Sequence, residues 1–408
     1  MPYLALILTF IIIFYLLDLM ADTLNIKAIN PNLPDEFKGY YDEVKYKKSQ
    51  NYLKTNTGFS LIKSTLMTIL IVVFIVVGGF NWLDGLARSF NQGPVITGLI
   101  FLCILLLINL VISFPFSIYH TFVIEEKFGF NKTTVKTFIL DLIKGIIISL
   151  IIGSAAFSCI LWFFEKTGPI AWVYCWLFVA IFQLFIIFIA PNVIMPLFNK
   201  FLPLDDGELK EKIKEYASSQ NFNIKGVYKM DGSKRSTKSN AFFTGLGKSR
   251  RIVLFDTLIE KHTVAELVAV IAHEVGHYKK RHILKNFVYS ILTTGLMFYL
   301  LSLMMNNIGL FDAFKMDHVS TYASFILFSF LYSPISSFFS IIDTIFSRKY
   351  EYEADSYAAK TTNDKDSMIT ALKKLSVDNL SNLTPHWLKV FLEYSHPPVL
   401  ARIKALKN

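Results

Sequence analysis

The chain has 408 residues, of which 53% are hydrophobic and 18% are charged, and its formal net charge is +10. Its mean hydropathy is +0.46, and the apolar residues lie in long uncharged runs, so we expect an integral membrane protein and not a soluble one. The basic residues are spread over several loops and form no nucleic-acid-binding module, so we expect no nucleic-acid partner.

Seven uncharged runs are candidates for membrane spans. Each is near or above the roughly 17 to 25 residues that a helix needs to cross a hydrocarbon core. The runs without Lys, Arg, Asp or Glu cover residues 1–17, 64–83, 89–124, 145–164, 167–199, 286–311 and 319–342. The three cysteines lie in these runs without metal-ligand spacing, so we interpret them as packing residues.

Basic residues alternate between the loops that join these spans. The loop 21–59 has 6 lysines and the loop 117–137 has 3, whereas the loops that contain Arg88, Lys166 and Lys315 have one basic residue each. Positive side chains are retained on the cytoplasmic side of short loops. The pattern therefore predicts an extracytoplasmic or lumenal N-terminus and a cytoplasmic C-terminus, without indicating which membrane holds the chain.

After residue 201 the composition becomes that of a soluble domain. An amphipathic stretch at 205–220 predicts a helix. Three short strand-like segments follow at 225–230, 239–246 and 251–255, with a basic, serine-rich turn between the first two.

The most specific motif in this region is HEVGH at residues 273–277. A predicted capping box at 263–266 indicates that the motif lies on a helix, which we expect to run straight toward the sixth span. On a helix, His273 and His277 share one face and can bind one metal ion, while Glu274 can reach a metal-bound water without ligating the metal. The motif predicts a zinc hydrolase.

A catalytic zinc needs a third protein ligand, and the sequence offers two candidates. His282 follows His277 by five residues, without the glycine and the six-residue spacing of the metzincin pattern, so we interpret it as an interfacial helix residue. After the seventh span, Glu351 and Asp355 lie four residues apart on one helix face. Glu351 is the predicted ligand and Asp355 the carboxylate that orients a histidine ligand. Glu353, on the other side of this helix, fits a solvated acidic face.

At this point the chain resembles the CAAX prenyl protease 1 family, which consists of seven-span integral membrane zinc metalloproteases. The resemblance covers nearly the whole chain. It includes the span count, HExxH before the sixth span, and the E-x-x-A-D motif at 351–355. SNAFFTG at 239–245 is similar to the family's S-N-A-[YF]-x-x-G strand, and HPPVLARI at 396–403 is similar to its H-P-P-x-x-x-R-I tail.

The resemblance implies one Zn²⁺ per chain, with His273, His277 and Glu351 as its ligands. It implies that Glu274 is the general base. Asp355 would support catalysis from behind the ligands, as a carboxylate that does not touch the metal.

Further roles are implied for residues outside the two metal-binding helices. His396 would bind the substrate and stabilise the developing oxyanion, and Arg402 would steady the carboxylates. Asn240, Ala241 and Phe242 would pair with the substrate backbone by edge addition.

We therefore expect a mainly α, polytopic membrane protein whose seven transmembrane helices enclose a chamber, with a small cytoplasmic α+β zinc metalloprotease domain. Residues 1–201 would hold spans one to five, 202–283 the first half of the protease domain, 284–346 spans six and seven, and 347–408 the second half and the tail.

The motifs predict a zinc-dependent integral membrane endopeptidase that acts on peptides or proteins in contact with membrane lipid. The resemblance implies that it removes the C-terminal tripeptide from chains prenylated at a C-terminal cysteine or cleaves related peptides. One alternative is a membrane quality-control protease of the same superfamily. Another is a seven-span zinc-binding receptor or transporter without hydrolysis. A site-2-type intramembrane protease fits less well, because HExxH follows a soluble strand region.

Overall fold

The computed structural model describes residues 2–222, 226–244 and 251–408. Most of each predicted strand lies within these ranges. Lys225, Gly245 and Leu246, which belong to two predicted strands, lie outside the described residues.

Seven of the described helical segments are long and apolar enough to cross a membrane. Only 6 to 17% of the most apolar window in each is buried inside the protein, so most of these side chains are left to lipid or to an internal space. The helices of the membrane part are α1 (Pro2–Lys27), α2 (Glu43–Val76), α3 (Gly79–Arg88), α4 (Pro94–Tyr119), α5 (Val135–Lys166), α6 (Ala171–Ile189) and α7 (Met195–Phe198).

The other α-helices belong to the soluble region and the last two spans, apart from α12, which joins those two spans. They are α8 (Glu208–Ser219), α9 (Asp256–Lys261), α10 (Val264–Lys279), α11 (His282–Met304), α12 (Ile308–Ala313), α13 (Thr321–Thr362), α14 (Lys365–Asp378), α15 (Trp387–Glu393) and α16 (Val399–Lys407). The sixth and seventh spans are α11 and α13.

The number of spans is as predicted, but several helices extend well beyond their uncharged runs. The second begins at Glu43, about six turns before the run at 64–83, and it ends at Val76 because Gly78 turns the chain with φ +80°. The seventh continues to Thr362. Charge limits the part of a helix that enters a membrane, whereas a helix in water continues until its hydrogen-bonding pattern is broken. One helix, α13, therefore crosses the predicted domain boundary at 346.

An apolar cluster closes the bundle at the end away from the soluble region. It is formed where the spans begin or end near α3 and α12, and its largest fully buried members are Phe80, Phe101, Phe311 and Phe314. Beside it the buried carboxylate of Asp84 accepts hydrogen bonds from Arg88 and Tyr322.

The soluble region contains a four-stranded sheet in the order β1-β2-β4-β3. The strands are β1 (Phe201–Pro203), β2 (Gly226–Met230), β3 (Ala241–Thr244) and β4 (Arg251–Phe255). β2 and β4 are parallel and the other pairs are antiparallel. The sequence did not predict β1, because its apolar residues follow the fifth span directly. Within the described residues β3 is an edge strand, with β4 as its one partner.

Two ion pairs attach the turn before β3 to the membrane helices. Arg235 donates two hydrogen bonds to Asp141 on α5, at 2.8 and 3.0 Å. Lys238 donates to Glu125 and to the Tyr52 hydroxyl on α2, both at 2.8 Å. These contacts fix the start of β3 relative to the spans.

The HExxH helix and the last span pack against each other at close range. A methyl group added to Gly276 would lie 3.1 Å from the Ala354 Cα and 3.2 Å from its carbonyl oxygen. Because these two residues are small, the α10 and α13 backbones lie close together, and polar side chains from the two helices can contact one another.

Candidate metal centre

α10 begins with the predicted capping box, which is confirmed. The Thr263 hydroxyl accepts a hydrogen bond from the Glu266 amide, and the Glu266 carboxylate accepts one from the Thr263 amide. The buried face of the helix packs on the sheet and on α14. This packing sets the rotation of α10 and directs His273 and His277 toward α13.

One atom each from His273, His277 and Glu351 forms a group in which all atoms lie within 4.8 Å of one another. The two histidine Nε2 atoms are 3.1 Å apart. The Glu351 oxygens lie 3.5 Å from His273 Nε2 and 3.3 Å from His277 Nε2. These are the three residues predicted as ligands, and they come together although 74 residues separate Glu351 from His277 along the chain.

The donor set fits a metal ion. Glu351 Oε2 is buried and accepts no hydrogen bond from the described residues, although Arg402 Nη1 lies 3.1 Å away. A buried carboxylate that faces two imidazole nitrogens at 3.5 and 3.3 Å is an arrangement that a cation would stabilise. Two imidazoles and a carboxylate are a common three-ligand set for catalytic zinc.

Asp355 and Arg402 lie directly behind this group. Asp355 Oδ1 is 2.8 Å from His273 Nδ1, the ring nitrogen on the side away from His277. Arg402 holds the Asp355 carboxylate with two hydrogen bonds, at 2.8 and 2.6 Å. Burial would lower the pKa of His273, but the carboxylates of Asp355 and Glu351 outweigh it and raise this pKa to about 9. In the metal-free protein His273 therefore holds a proton that a metal ion must displace.

Glu274 lies next to the group without being part of it. Its carboxylate accepts a hydrogen bond from the backbone amide of Phe243 on β3. Burial raises the pKa of Glu274 above its usual value, against the lowering effect of His273 and His277. A carboxylate with a raised pKa is better matched to taking up and returning a proton near neutral pH.

The predicted substrate-binding residues lie on the edge strand beside Glu274. The Asn240 carbonyl accepts a hydrogen bond from the Phe255 amide at 3.1 Å. Because antiparallel residues alternate between bonded and unbonded pairs, Asn240 and Phe242 bond to β4, whereas Ala241 and Phe243 direct their backbone groups to the free edge. The Ala241 amide is bonded to the Asn240 side chain at 2.9 Å.

His396 approaches the group from the C-terminal segment. Its Nε2 is 3.4 Å from Glu351 Oε1, and its side chain is 64% exposed. It lines a cavity of about 530 Å³ whose walls also include Asn379, Tyr394, Pro398 and Arg402. Asn379 makes two hydrogen bonds to the Ser239 backbone, at 3.1 and 3.2 Å, so this cavity borders the start of β3.

Comparison with known proteins identifies this arrangement. Residues 22–200 match the model of the CAAX prenyl protease N-terminal region with five membrane helices, and residues 203–408 match that of peptidase family M48. The chain belongs to peptidase family M48. It is an integral, multi-pass membrane metalloprotease that acts on protein or peptide substrates, and its family implies a metal cofactor.

Relatives in this family match the chain over most of its length. A CAAX prenyl protease 1 homolog of Arabidopsis thaliana is 34% identical, over 99% of this chain and 97% of its own. CAAX prenyl protease 1 of Saccharomyces cerevisiae is 34% identical, over 93% and 89%. The crystal structure of S. mikatae Ste24p covers 100% of both chains with a TM-score of 0.95 and 33% identity. Membership in a peptidase family excludes the alternative of a receptor or transporter without hydrolysis.

In this M48 peptidase, two residues near the metal-binding group differ from their sequence interpretation. The HExxH helix does not run straight into the sixth span, because Arg281 adopts a left-handed conformation with φ +58° between α10 and α11. His282 is therefore turned back to His277, with the two Nδ1 atoms 3.0 Å apart. Glu353 is not a simply solvated carboxylate, since its Oε2 lies 3.0 Å from His282 Nε2. The sequence between His277 and His282 has no glycine, which argued against such a turn. The five-residue spacing of these two histidines was the one sequence signal that they could meet.

Proposed function

We propose that this M48 peptidase is a zinc endopeptidase of the CAAX prenyl protease type, which removes the C-terminal tripeptide from proteins prenylated at a C-terminal cysteine. One Zn²⁺ would be bound by His273, His277 and Glu351. The observation that carries the proposal is the convergence of these three donors within 4.8 Å, with the Glu274 carboxylate beside them. The relatives are named CAAX prenyl proteases, and this supports the substrate class.

Zinc in such a site acidifies a water molecule and polarises a carbonyl group. Glu274 takes up the proton of the attacking water and returns it to the leaving amine. Its raised pKa makes the carboxylate a stronger base toward the water, and the proton that it gains then passes to the leaving amine.

Three further side chains support this chemistry. His396 would donate a hydrogen bond to the oxygen that becomes negative during attack, and its Nε2 lies 3.4 Å from the Glu351 carboxylate. Asp355 and Arg402 fix the orientation of His273, so that the ligand does not have to reorganise when the metal binds.

The substrate backbone would add to the free edge of β3. Asn240, Ala241 and Phe242 form this part of the strand, and its edge groups lie beside Glu274. The cavity of about 530 Å³ next to His396 offers space for the residues that follow the scissile bond or for those that precede it.

The membrane part completes the proposal. The prenyl chain and membrane lipid would occupy apolar space among the seven spans, whose side chains are mostly unburied. The distribution of lysines supports a cytoplasmic position for the protease region, with the N-terminus on the extracytoplasmic or lumenal side.

Cleavage of a defined peptide tests the proposal. Full-length protein in detergent is incubated with a farnesylated CAAX peptide and with the same peptide unmodified, each with and without a chelator, and the product masses are measured. We expect release of the terminal tripeptide from the farnesylated peptide, its loss with the chelator and its recovery with added zinc. Cleavage that is insensitive to the chelator, or the absence of a tripeptide product, would contradict the proposal.

A further inference from the structure

The two histidines of the HExxH motif have different neighbours behind them. His273 turns its second ring nitrogen directly to a carboxylate, Asp355, at 2.8 Å. His277 turns its second ring nitrogen to another imidazole, with 3.0 Å between its Nδ1 and His282 Nδ1. The carboxylate of Glu353 follows at 3.0 Å from His282 Nε2.

The chemistry of this chain permits one arrangement of protons when His277 Nε2 faces the metal. His277 then carries its proton on Nδ1 and donates a hydrogen bond to His282 Nδ1. His282 in turn carries its proton on Nε2 and donates a hydrogen bond to the Glu353 carboxylate. Every donor meets an acceptor, and the series ends on a charged group that favours this tautomer.

Burial and ring stacking restrict the orientation of the His282 side chain. It is 2% exposed, and its ring stacks on Tyr350 at a centroid distance of 4.2 Å and an angle of 13°. The left-handed residue Arg281 begins α11 with His282 directed toward α10. Glu353 lies on α13, two residues after the predicted ligand Glu351, so one helix supplies both the ligand and the end of the hydrogen-bonded series.

We propose that His282 and Glu353 are positioning residues, which fix the tautomer and the ring orientation of His277 and thereby raise the affinity of the site for zinc. This inference rests on the proposed zinc site. It gives each histidine ligand a carboxylate behind it: Asp355 directly for His273, and Glu353 through His282 for His277. A different role, in which the pair merely ties α11 to α13, predicts lower stability without a change in metal affinity.

Zinc affinity of the purified full-length protein, measured by competition with a chelating dye, tests the proposal. His282→Phe retains the stacked ring and removes both nitrogens. We expect the dissociation constant for zinc to rise about 10- to 100-fold, the range seen when groups that orient metal ligands are removed. Glu353→Ala should raise it by a smaller factor, and Glu353→Gln less again, because the amide oxygen still accepts the His282 proton.

A variant with both substitutions tests whether Glu353 acts on His277 through His282 or independently of it. If Glu353 acts through His282, combining Glu353→Ala with His282→Phe weakens zinc binding no further than His282→Phe alone. Multiplied effects would overturn this inference. If His282→Phe fails to fold, Glu353→Ala and Glu353→Gln are compared with the unmodified protein. Equal zinc affinity in all three proteins would overturn the inference.

His262→Phe is the matched control. His262 is a buried histidine that directly precedes the N-cap of α10, and its Nδ1 lies 3.2 Å from Glu266 Oε2. This change should lower the Tm of the chelator-treated protein and leave zinc affinity within about twofold. If His282→Phe behaves in the same way, the pair only ties helices together. If the unmodified protein itself binds no zinc, the proposed function fails, and that result is distinct from a variant that matches the unmodified affinity.

Discussion

At the scale of single residues, Glu274 is the carboxylate on which the proposed chemistry depends. It contacts the edge strand through the Phe243 amide and lies outside the group of three proposed metal-binding donors. Its role can therefore be separated from metal binding by a substitution that retains its shape.

Glu274→Gln should retain zinc and lower the rate of peptide cleavage by a factor of about 10² to 10⁴, since proton transfer is lost while the ligands are intact. Zinc content by atomic absorption and cleavage of the farnesylated peptide are measured on the same preparation. Glu351→Ala serves as the contrast, because it should lose the metal itself. A Glu274→Gln protein that cleaves at the unmodified rate would show that the proton passes elsewhere.

His262 gives the soluble region a pH dependence that does not involve the metal. Burial lowers its pKa below the usual 6.5, against the raising effects of Glu266 and Asp378 and with a further lowering effect of Lys374. The folded protein thus holds His262 neutral, while the unfolded chain binds a proton below about pH 6.5. Its neutral form contributes stability above that pH, and the contribution declines as the pH falls.

The Tm of the chelator-treated protein should therefore fall more steeply between pH 7.5 and pH 5 than the Tm of His262→Phe. Differential scanning fluorimetry of both proteins in the same detergent gives the two profiles. The other histidines are common to both and cancel in the difference. Parallel profiles would mean that His262 is already protonated, or exposed, in the folded state.

At the scale of elements, the metal site depends on how closely α10 and α13 pack. The contact is made by Gly276 and Ala354, and a Cβ at 276 would meet backbone atoms that cannot rotate away. The same two helices carry the HExxH histidines and Glu351, so a change in their separation is a change in the size of the site.

Gly276→Ala should move α13 outward by a few tenths of an ångström, destabilise the protein by about 1 to 3 kcal/mol and weaken zinc binding. Gly153→Ala on α5, where an added Cβ meets nothing within 4 Å, is the control, which should leave zinc affinity unchanged and should not lower the Tm. Zinc affinity by chelator competition and Tm are the measurements. Unchanged zinc affinity in Gly276→Ala would show that the helices tolerate a wider separation.

The ends of helices were harder to predict from the sequence than the helices themselves. The capping box of α10 followed from Thr263 and Glu266, because both partners are local. The turn at Arg281 did not, since a left-handed conformation without glycine is stabilised by the contacts that follow it and not by the residue itself. The roles of His282 and Glu353 were missed for this reason.

At the scale of the whole molecule, the protease region is assembled from two segments that the sixth and seventh spans separate. α10 comes before these spans, and the metal-binding part of α13 comes after them. The candidate metal centre therefore forms only when the membrane helices are in place, at the end of the bundle opposite the apolar cluster around Phe311.

Together with the distribution of lysines among the loops, this arrangement predicts on which side of the membrane each end of the bundle lies. Native cysteines are replaced, and single cysteines are introduced as Gln92→Cys, between the second and third spans, or Lys365→Cys, after the seventh. In sealed vesicles with the cytoplasmic face outward, a membrane-impermeant maleimide should label Lys365→Cys directly. It should label Gln92→Cys only after permeabilisation. The reverse pattern would contradict the proposed orientation.

The number of spans, the family and the three donors that converge could all be predicted from the amino-acid sequence. Each depends on local properties: the length of an uncharged run, the four-residue spacing on a helix face, and short motifs. The turn of His282 toward His277 at Arg281, the end of this series at Glu353 and the bond between Phe243 and Glu274 became visible only in the folded protein. These contacts join segments separated along the chain, and their geometry is set by the packing of α10, α11 and α13, which no local pattern encodes.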